Sequence, residues 1–291
     1  MNSKFKYLLT ILGLIATLVV GAAFSFPDQN LHLIFCDVGQ GDAILVVKGK
    51  NQILIDSGPG EKVLSCLSEH TPFWDKTLEL VILTHPEADH AGGLPSVIER
   101  YNVRELVSNS LVTDSGIFQK IREEVVSQKI PVYSPKAGDR IKIANLEIEI
   151  LYPLEKQGDE IVWKTEESTQ VLGAYTGNLN ETSIVGKLKY GNFDVLLTGD
   201  MGIKQEAEIE PGEIEVLKIA HHGSKYSSSQ EFLEKISPDL AIISVGATNR
   251  YGHPTSEVLK RLSDLAIKIL RTDINGEIEI VSDGKGWRLV D

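Results

Sequence analysis

The sequence predicts an α+β fold in which two hairpin-rich sheets pack together in one domain. Strand-like runs joined by short turns occur in both halves of the chain. Segments with helical hydrophobic spacing lie between these strands and are expected to cover the sheets. Residue types that bind metal ions follow several strands, so a site is expected where strand ends from the two halves meet.

Composition sets limits on the function. The chain has 291 residues, 42% hydrophobic and 24% charged, which is ordinary for a globular protein. Its net charge is -12, so the chain as a whole lacks the excess of basic residues that nucleic-acid-binding proteins normally show. An anionic substrate would therefore be drawn in by metal ions and a few local cations, and not by the field of the whole surface.

The N-terminal segment is predicted to be a targeting sequence. Lys4 and Lys6 precede an almost continuous apolar run over residues 7–23. This pattern is typical of a secretory signal or an uncleaved signal anchor, which we assign to residues 1–26. The folded domain is expected to cover residues 31–291 and to be extracytoplasmic, either secreted or anchored through membrane contact of the N-terminal segment.

In the first half, residues 31–36 predict a strand, and residues 43–47 and 52–55 predict a hairpin because a turn with Gly49 separates them. Helical spacing follows at 63–67, and the apolar run at 80–83 predicts a strand buried on both faces. A helix is expected after Leu94, with Pro95 in its first turn. A strand at 103–107, a helix around Phe118 and Ile121, and a hairpin at 141–143 and 146–151 complete this half.

Residues 152–180 show little periodicity, which is typical of a lid, a binding loop or disorder. In that segment Trp163 and Tyr175 either face a ligand or pin the loop to the surface. A hairpin is then expected at 182–190 and 192–197, around Gly191. Strands at 214–220, 240–245, 267–270, 277–281 and 287–290 alternate with helices at 232–236 and around Leu262.

Residues 85–90 hold two imidazoles and two carboxylates directly after the predicted strand at 80–83. The four side chains are His85, Glu87, Asp89 and His90. No Lys or Arg lies among them to neutralise the carboxylates, and both ligand types suit Zn²⁺ and Mn²⁺. This loop predicts a metal site, and a merely solvated polar loop is the less favoured interpretation.

Three more carboxylates follow predicted strands in the first half. We interpret Asp42 as a turn-former, whereas Asp37 and Asp56 are equally consistent with turn formation and with a site contact. Cys36 and Cys66 are the two cysteines, and they either pair or serve as small buried hydrophobes. They are too few and too far apart to form a thiolate metal site.

Four motifs in order resemble the metallo-β-lactamase superfamily and, within it, the C-terminal hydrolase domains of ComEC-type competence proteins. The motifs are Asp37-Val38-Gly39-Gln40-Gly41-Asp42, His85-Pro86-Glu87-Ala88-Asp89-His90, Thr198-Gly199-Asp200 and His221-His222-Gly223-Ser224. The resemblance covers residues 31–291. It implies a four-layer αββα sandwich with two divalent ions, Zn²⁺ or Mn²⁺, at one edge of the sheets.

The resemblance also implies the residues of the site. Those matched to metal ligands are His85, Glu87, Asp89, His90, Asp200 as a bridging ligand, and His222, with His221 and His253 as rivals. Two departures affect the expected metal site. Glu87 stands where most members have His, which favours harder ions such as Mn²⁺. No His lies between His90 and Asp200, so one metal position is expected to be weak, with Asn180 or Ser183 near that place.

The expected activity is hydrolysis of a phosphodiester, with DNA as a candidate substrate, by a water that two metal ions activate. Asp89 is expected to accept a proton from that water, and His253 to donate one. The side chains expected to contact substrate are Asp37, Asp56, His221, Ser224 and Lys225. Two alternatives remain open: hydrolysis of an ester, lactone or lactam, and a non-catalytic surface binding protein. No obligate protein partner is inferred.

Overall fold

The computed structural model of the chain describes residues 3–24, 27–157 and 175–290. Its first element is helix α1 (Ser3–Phe24). None of the helices in these ranges is both long enough and apolar enough to cross a membrane. The α1 side chains whose burial is described, at residues 4–15 and 17, are exposed and belong to none of the three hydrophobic clusters that form the core.

Two large sheets carry the fold. The strands of the first are β1 (Leu31–Phe35), β2 (Ile44–Lys48), β3 (Asn51–Ile55), β5 (Leu80–Leu83), β7 (Leu106–Ser108), β8 (Val132–Tyr133), β16 (Ile278–Ser282) and β17 (Trp287–Leu289). Their spatial order is β17-β16-β1-β2-β3-β5-β7-β8.

The second sheet is built mainly from the other half of the chain. Its strands are β9 (Arg140–Ile143), β10 (Leu146–Tyr152), β11 (Val185–Tyr190), β12 (Phe193–Leu197), β13 (Val216–Lys218), β14 (Leu240–Ile243) and β15 (Lys268–Arg271). They lie in the order β15-β14-β13-β12-β11-β10-β9. Two short strands, β4 (Thr77–Leu78) and β6 (Asn102–Val103), pair separately.

Helices cover the outer faces of both sheets. After α1 the described helices are α2 (Lys62–His70), α3 (Ala88–Ala91), α4 (Leu94–Arg100), α5 (Gly116–Gln128), α6 (Ile203–Glu206), α7 (Gln230–Ile236), α8 (Ser256–Asp264) and α9 (Thr272–Asn275). The buried faces of α2, α4 and α5 belong to the cluster on the first sheet, and those of α7 and α8 to the cluster on the second.

The alternation of side chains in β1 shows how the layers form. Leu33 and Phe35 face the cluster between the two sheets, whereas Ile34 faces the cluster under the helices, because neighbouring side chains of a strand point to opposite faces. Both faces of the sheet are therefore buried. The four-layer αββα sandwich that the resemblance implies is confirmed.

Strand direction determines which loops meet. In the first sheet β3, β5, β7 and β8 run parallel, and in the second β12, β13, β14 and β15 run parallel. The carboxyl ends of parallel strands lie at one edge of a sheet. The loops after β3, β5, β12, β13 and β14 carry the polar residues that the sequence singles out.

Two predicted strands are wrong in detail. The strand expected at 103–107 is divided, because β6 pairs with β4 and only β7 joins the first sheet beside β5. The strand expected at 214–220 is shorter, because β13 gives way to a 3₁₀ turn (Ala220–Gly223) in which His221 and His222 have positive φ angles. Residues 158–174, which include Trp163, lie outside the described ranges.

Cys36 and Cys66 form a disulfide, with 5.9 Å between their Cα atoms. Cys36 follows β1, and Cys66 lies on the buried face of α2. The structure thus decides between the two interpretations of these cysteines. The bond ties α2 to the strand that leads into the Asp42 loop.

Candidate metal centre

The loop after β5 places two imidazoles inside the protein. His85 and His90 are completely buried, and their ring centroids are 4.2 Å apart. Helix α3 begins within the loop and brings His90 back towards His85. Asp89 of the same helix remains 24% exposed, so its carboxylate lies at the mouth of the cluster.

The second sheet supplies Asp200 and His222. Asp200 follows β12, and its backbone N–H donates to Ser183 Oγ at 3.0 Å. Gly199 before it has a φ of +50°, and a Cβ there would lie 3.0 Å from Ser183 Cβ, so glycine allows the close approach. His222 lies in the 3₁₀ turn after β13 and is 1% exposed.

These residues from the two halves converge. His90 Nε2 lies 3.2 Å from Asp200 Oδ1. His222 Nε2 lies 3.6 Å from Asp200 Oδ2 and 3.4 Å from Asp89 Oδ2. Two groups, His85/His90/Asp200 and Asp89/His90/His222, each offer three ligand atoms within 4.8 Å of one another. Each group combines both His and Asp, the donor set that Zn²⁺ and Mn²⁺ accept.

Each of the three buried histidines has its Nδ1 engaged by a neighbouring oxygen. His222 Nδ1 is 2.8 Å from Ser244 O, His90 Nδ1 is 2.7 Å from Asp56 Oδ2, and His85 Nδ1 is 3.0 Å from Thr84 Oγ1. These contacts favour the tautomer that presents Nε2 to the centre, as in metal-binding histidines.

Several buried atoms at the centre have no hydrogen-bond partner. They are His85 Nε2, His90 Nε2, His222 Nε2, Asp200 Oδ1 and Asp42 Oδ1. Buried polar atoms nearly always have a partner. Orphaned imidazole and carboxylate atoms that converge on one place are explained by cations bound among them, so the donor set fits divalent metal ions.

The sequence of this chain matches the model of a known protein family. Residues 36–247 match the model of the metallo-beta-lactamase superfamily. The chain belongs to the metallo-β-lactamase superfamily. Proteins with this fold typically bind divalent metal ions such as zinc, which agrees with the candidate metal-binding groups described above.

The chain is also similar to competence proteins. It is 31% identical over 301 residues to ComE operon protein 3 of Bacillus subtilis (strain 168) and 30% identical over 288 residues to Recombination protein 2 of Haemophilus influenzae. The alignments cover 93% and 96% of this chain but 36% and 32% of those proteins. The chain thus spans about a third of the length of these relatives, and the expected likeness to ComEC-type proteins is confirmed.

Solved structures share the fold. YhfI from Bacillus subtilis, a metallo-beta-lactamase fold protein, superposes on this chain with a TM-score of 0.52 at 11% sequence identity. The superposition covers 83% of this chain and 96% of the YhfI chain. CmlA from Streptomyces venezuelae, a diiron beta-hydroxylase, gives a TM-score of 0.51 at 14% identity, covering 88% and 54%. At these identities the likeness concerns the fold alone.

Asp56 does not face a substrate, and the expectation of a substrate contact there is wrong. Its carboxylate is buried and accepts hydrogen bonds from Thr84 N at 2.8 Å and from Thr84 Oγ1 at 2.7 Å, beside its contact with His90 Nδ1. Asp56 therefore orients His90 and, through the Thr84 hydroxyl, His85.

Asp42 is not a solvent-exposed turn-former, and sequence reasoning missed Lys218 altogether. Both side chains are buried, and the Lys218 ammonium donates to Asp42 Oδ2. Although burial opposes its charge, Asp42 and Asp200 raise the pKa of Lys218 above its ordinary value. The available signal was a lysine inside the otherwise apolar run at 216–219, because lysine is almost never fully buried without a partner.

Glu87 belongs to none of the candidate metal-binding groups found among the described residues. It precedes helix α3 and is partly exposed. Burial and the nearby Asp89 raise the pKa of Glu87. The structure therefore places His85, Asp89, His90, Asp200 and His222 together and leaves Glu87 outside these groups.

Ser183 and Asn180 lie near the place where the superfamily pattern supplies a further histidine between His90 and Asp200. Ser183 Oγ lies 3.4 Å from His85 Nδ1, and Asn180 Nδ2 lies 3.3 Å from His221 Nε2. Asn180 Oδ1 is buried without a hydrogen-bond partner. Both residues thus lie beside the predicted ligands, as the sequence spacing indicates.

The remaining predicted substrate contacts divide into two groups. His221 lies beside the centre, with Nε2 3.9 Å from Asp200 Oδ2, and its ring centroid is 5.7 Å from that of His253. Lys225 is exposed, and its ammonium lies over the Tyr226 ring. For Ser224 and Asp37 a substrate contact stays a prediction. Ser224 is buried and accepts from Tyr226 N, and Asp37 is exposed and accepts from Gly39 N.

Charge pairing governs the protonation of the cluster. Burial lowers the pKa of His85 well below its ordinary value. Burial also opposes the charged form of His90, but Asp200 and Asp56 outweigh it and hold the pKa of His90 well above the ordinary value. For Asp89, His222 and His90 outweigh burial and lower the pKa to about 2. Metal binding would displace the proton from His90, so it is expected to strengthen as pH rises.

Proposed function

We propose that the chain is a metal-dependent phosphodiesterase or nuclease that uses a water activated by two divalent ions, Zn²⁺ or Mn²⁺. The observation that carries the proposal is the convergence of orphaned imidazole and carboxylate atoms from both halves. The residues that would hold the ions are His85, Asp89, His90, Asp200 and His222. Bound there, such ions supply a water of lowered pKa and neutralise charge on a phosphate.

Asp89 is the proposed proton acceptor. Its 24% exposure leaves the carboxylate accessible to a water and a substrate. Asp200 cannot take this role as readily, because it is only 2% exposed.

His253 is better suited to a substrate contact than to proton donation. Burial, together with the neighbouring His221 and His222, lowers the pKa of His253, so the ring is neutral at pH 7. A neutral imidazole still donates a hydrogen bond to a phosphate oxygen. His253 stacks on the exposed ring of Tyr251, with centroids 5.9 Å apart, and this rim offers an aromatic surface to a base.

The name of the Haemophilus influenzae relative, Recombination protein 2, supports a nucleic acid as the substrate. The net charge of -12 argues against tight binding of a long DNA segment. We therefore propose that the site binds one or two phosphates, with Lys225 as the local cation. Burial lowers the pKa of His221, so this imidazole would contact a phosphate oxygen as a neutral hydrogen-bond donor.

An extracytoplasmic location is part of the proposal. The basic and apolar N-terminal segment supports export, and the domain at 31–291 would be released or stay anchored by that segment. The Cys36–Cys66 disulfide also supports it, because disulfides persist in oxidising compartments.

Hydrolysis of bis-p-nitrophenyl phosphate tests the proposal. Purified protein stripped with a chelator should be inactive and should regain activity with Mn²⁺ or Zn²⁺. His85→Ala and Asp200→Ala should each lower kcat/KM by about a hundredfold or more, because each removes a ligand. The control Asp283→Ala should behave like the unsubstituted protein, since Asp283 is an exposed residue of the turn between β16 and β17.

A substrate panel separates the alternatives. Single-stranded DNA, duplex DNA and RNA should be cleaved under the conditions in which the diester is hydrolysed. Hydrolysis of nitrocefin without any phosphodiester cleavage would replace the proposal with an ester, lactone or lactam hydrolase. Metal content well below one ion per chain, with no hydrolysis at all, would identify a non-catalytic binding protein.

A further inference from the structure

Lys218 is a buried cation beside the candidate metal centre. Its side chain is completely buried in β13, and its ammonium donates to Asp42 Oδ2 and, at 3.1 Å, to Gly199 O. The same nitrogen lies 3.8 Å from Asp200 Oδ1. Asp200 is thus shared between this ammonium on one side and the imidazoles of His90 and His222 on the other.

Asp42 on its own has the surroundings of a metal ligand. It belongs to two further groups whose atoms could hold a cation, Asp42/Asp200/His222 and Asp42/Asp56/His90. Its Oδ1 atom is buried and has no hydrogen-bond partner, and it lies 3.5 Å from His222 Nδ1. Several buried carboxylates this close need positive charge between them, because burying an unpaired charge is strongly unfavourable.

We propose that the Lys218 ammonium serves as a covalently held cation between Asp42 and Asp200, taking a place that a metal ion would otherwise fill. The inference rests on the proposed metal centre and makes Lys218 a positioning residue. The Lys218 ammonium neutralises the negative charge of Asp42 and keeps that carboxylate from serving as a ligand of the exchangeable ions. The exchangeable ions are then confined to the two groups that contain His85, Asp89, His90, Asp200 and His222.

This role predicts opposite effects for the two partners. Lys218→Met removes the fixed positive charge and frees Asp42 as a ligand, so the protein should bind Mn²⁺ about tenfold more tightly or take up one further ion. Asp42→Asn leaves the ammonium uncompensated beside Asp200, so Mn²⁺ should bind about tenfold more weakly. If the ion pair were purely structural, both substitutions would lower the Mn²⁺ affinity.

Mn²⁺ binding by the full chain, measured by calorimetry and by the electron paramagnetic resonance of free Mn²⁺, tests the inference without any activity measurement. The double variant Asp42→Asn/Lys218→Met lacks both charges and should return to within about threefold of the original affinity. Far-UV circular dichroism identifies any variant that does not fold. The double variant is the critical case if a single variant fails to fold, because it buries no unpaired charge.

The outcomes distinguish this inference from the proposed function. If the unsubstituted protein binds neither Mn²⁺ nor Zn²⁺, the metal centre itself is wrong, and the inference fails with it. If it binds metal but both folded single variants lose affinity, Lys218 is structural and only the inference fails. A double variant that folds but loses Mn²⁺ affinity by more than about thirtyfold would also overturn it.

Discussion

At the scale of single residues, the centre depends on groups that do not face the ions. Asp56 binds Thr84 N, Thr84 Oγ1 and His90 Nδ1, so one buried carboxylate orients two histidines. Asp37 also follows a strand of the first sheet, yet it is exposed and accepts a hydrogen bond from Gly39 N within a turn. The same residue type thus has different roles, which are set by its position relative to the loop after β5.

We expect Asp56→Asn to lower divalent metal affinity by about 10- to 100-fold, because it weakens the acceptor that orients His90. Titration with Zn²⁺ in competition with a chromogenic chelator measures this. Asp37→Asn is the matched control and should leave the affinity unchanged. Equal effects of the two substitutions would show that Asp56 does not support the centre.

The metal-binding role of the loop at 85–90 could be predicted from sequence, because its histidines and carboxylates lie within six residues of one another. The Asp42–Lys218 pair could not, since it joins loops from different sheets and neither residue has a neighbour in sequence that reveals the other. Sequence spacing predicts ligand loops well but not charges that meet only after folding.

At the scale of elements, the fold positions the site by ending several core strands at one edge. The strands and hairpins with clear alternation or apolar runs were predicted correctly, because burial imposes these patterns. The short strand β8 and the division between β6 and β7 were not, since two or three residues carry too little periodicity. The pairing of Cys36 with Cys66 could not be inferred either, because spacing along the chain gives no distance.

The disulfide should stabilise the junction between β1 and α2. A bridge across a sequence separation of 30 residues is expected to contribute about 3 kcal/mol, chiefly by restricting the unfolded chain. The variant Cys36→Ala/Cys66→Ala should therefore lose about 2–4 kcal/mol in the free energy of unfolding, measured by urea denaturation.

The reduced form of the unsubstituted protein provides the control for this experiment. It should lose a similar amount of stability, since it lacks the same bond. Reduction that leaves the urea midpoint unchanged would mean that the two cysteines do not pair in solution.

At the scale of the whole molecule, two His–Glu pairs join distant parts of the chain to β16. His32 of β1 pairs with Glu279 at 2.5 Å, and His70 at the end of α2 pairs with Glu277 just before β16. Glu279 raises the pKa of His32, and Glu277 raises the pKa of His70. These contacts link the chain's first strand and first core helix to a strand near its C-terminus.

Because the folded protein raises both histidine pKa values, the pairs contribute stability that is fully present below the ordinary histidine pKa of 6.5 and is lost as pH rises through the folded values. His32→Gln and His70→Gln should each destabilise the protein by about 1 kcal/mol at pH 6 and by less at pH 9. Urea denaturation of each variant beside the unsubstituted protein measures the difference. A destabilisation that grows from pH 6 to pH 9 would contradict this assignment.

The central claim is that loops from both sheets converge to hold divalent cations. Crystals of the protein grown with MnCl₂ and measured at the manganese absorption edge test it most directly. Anomalous density is expected within ligand distance of the groups His85/His90/Asp200 and Asp89/His90/His222. Anomalous density found only elsewhere on the protein, with these side chains still in place, would contradict it.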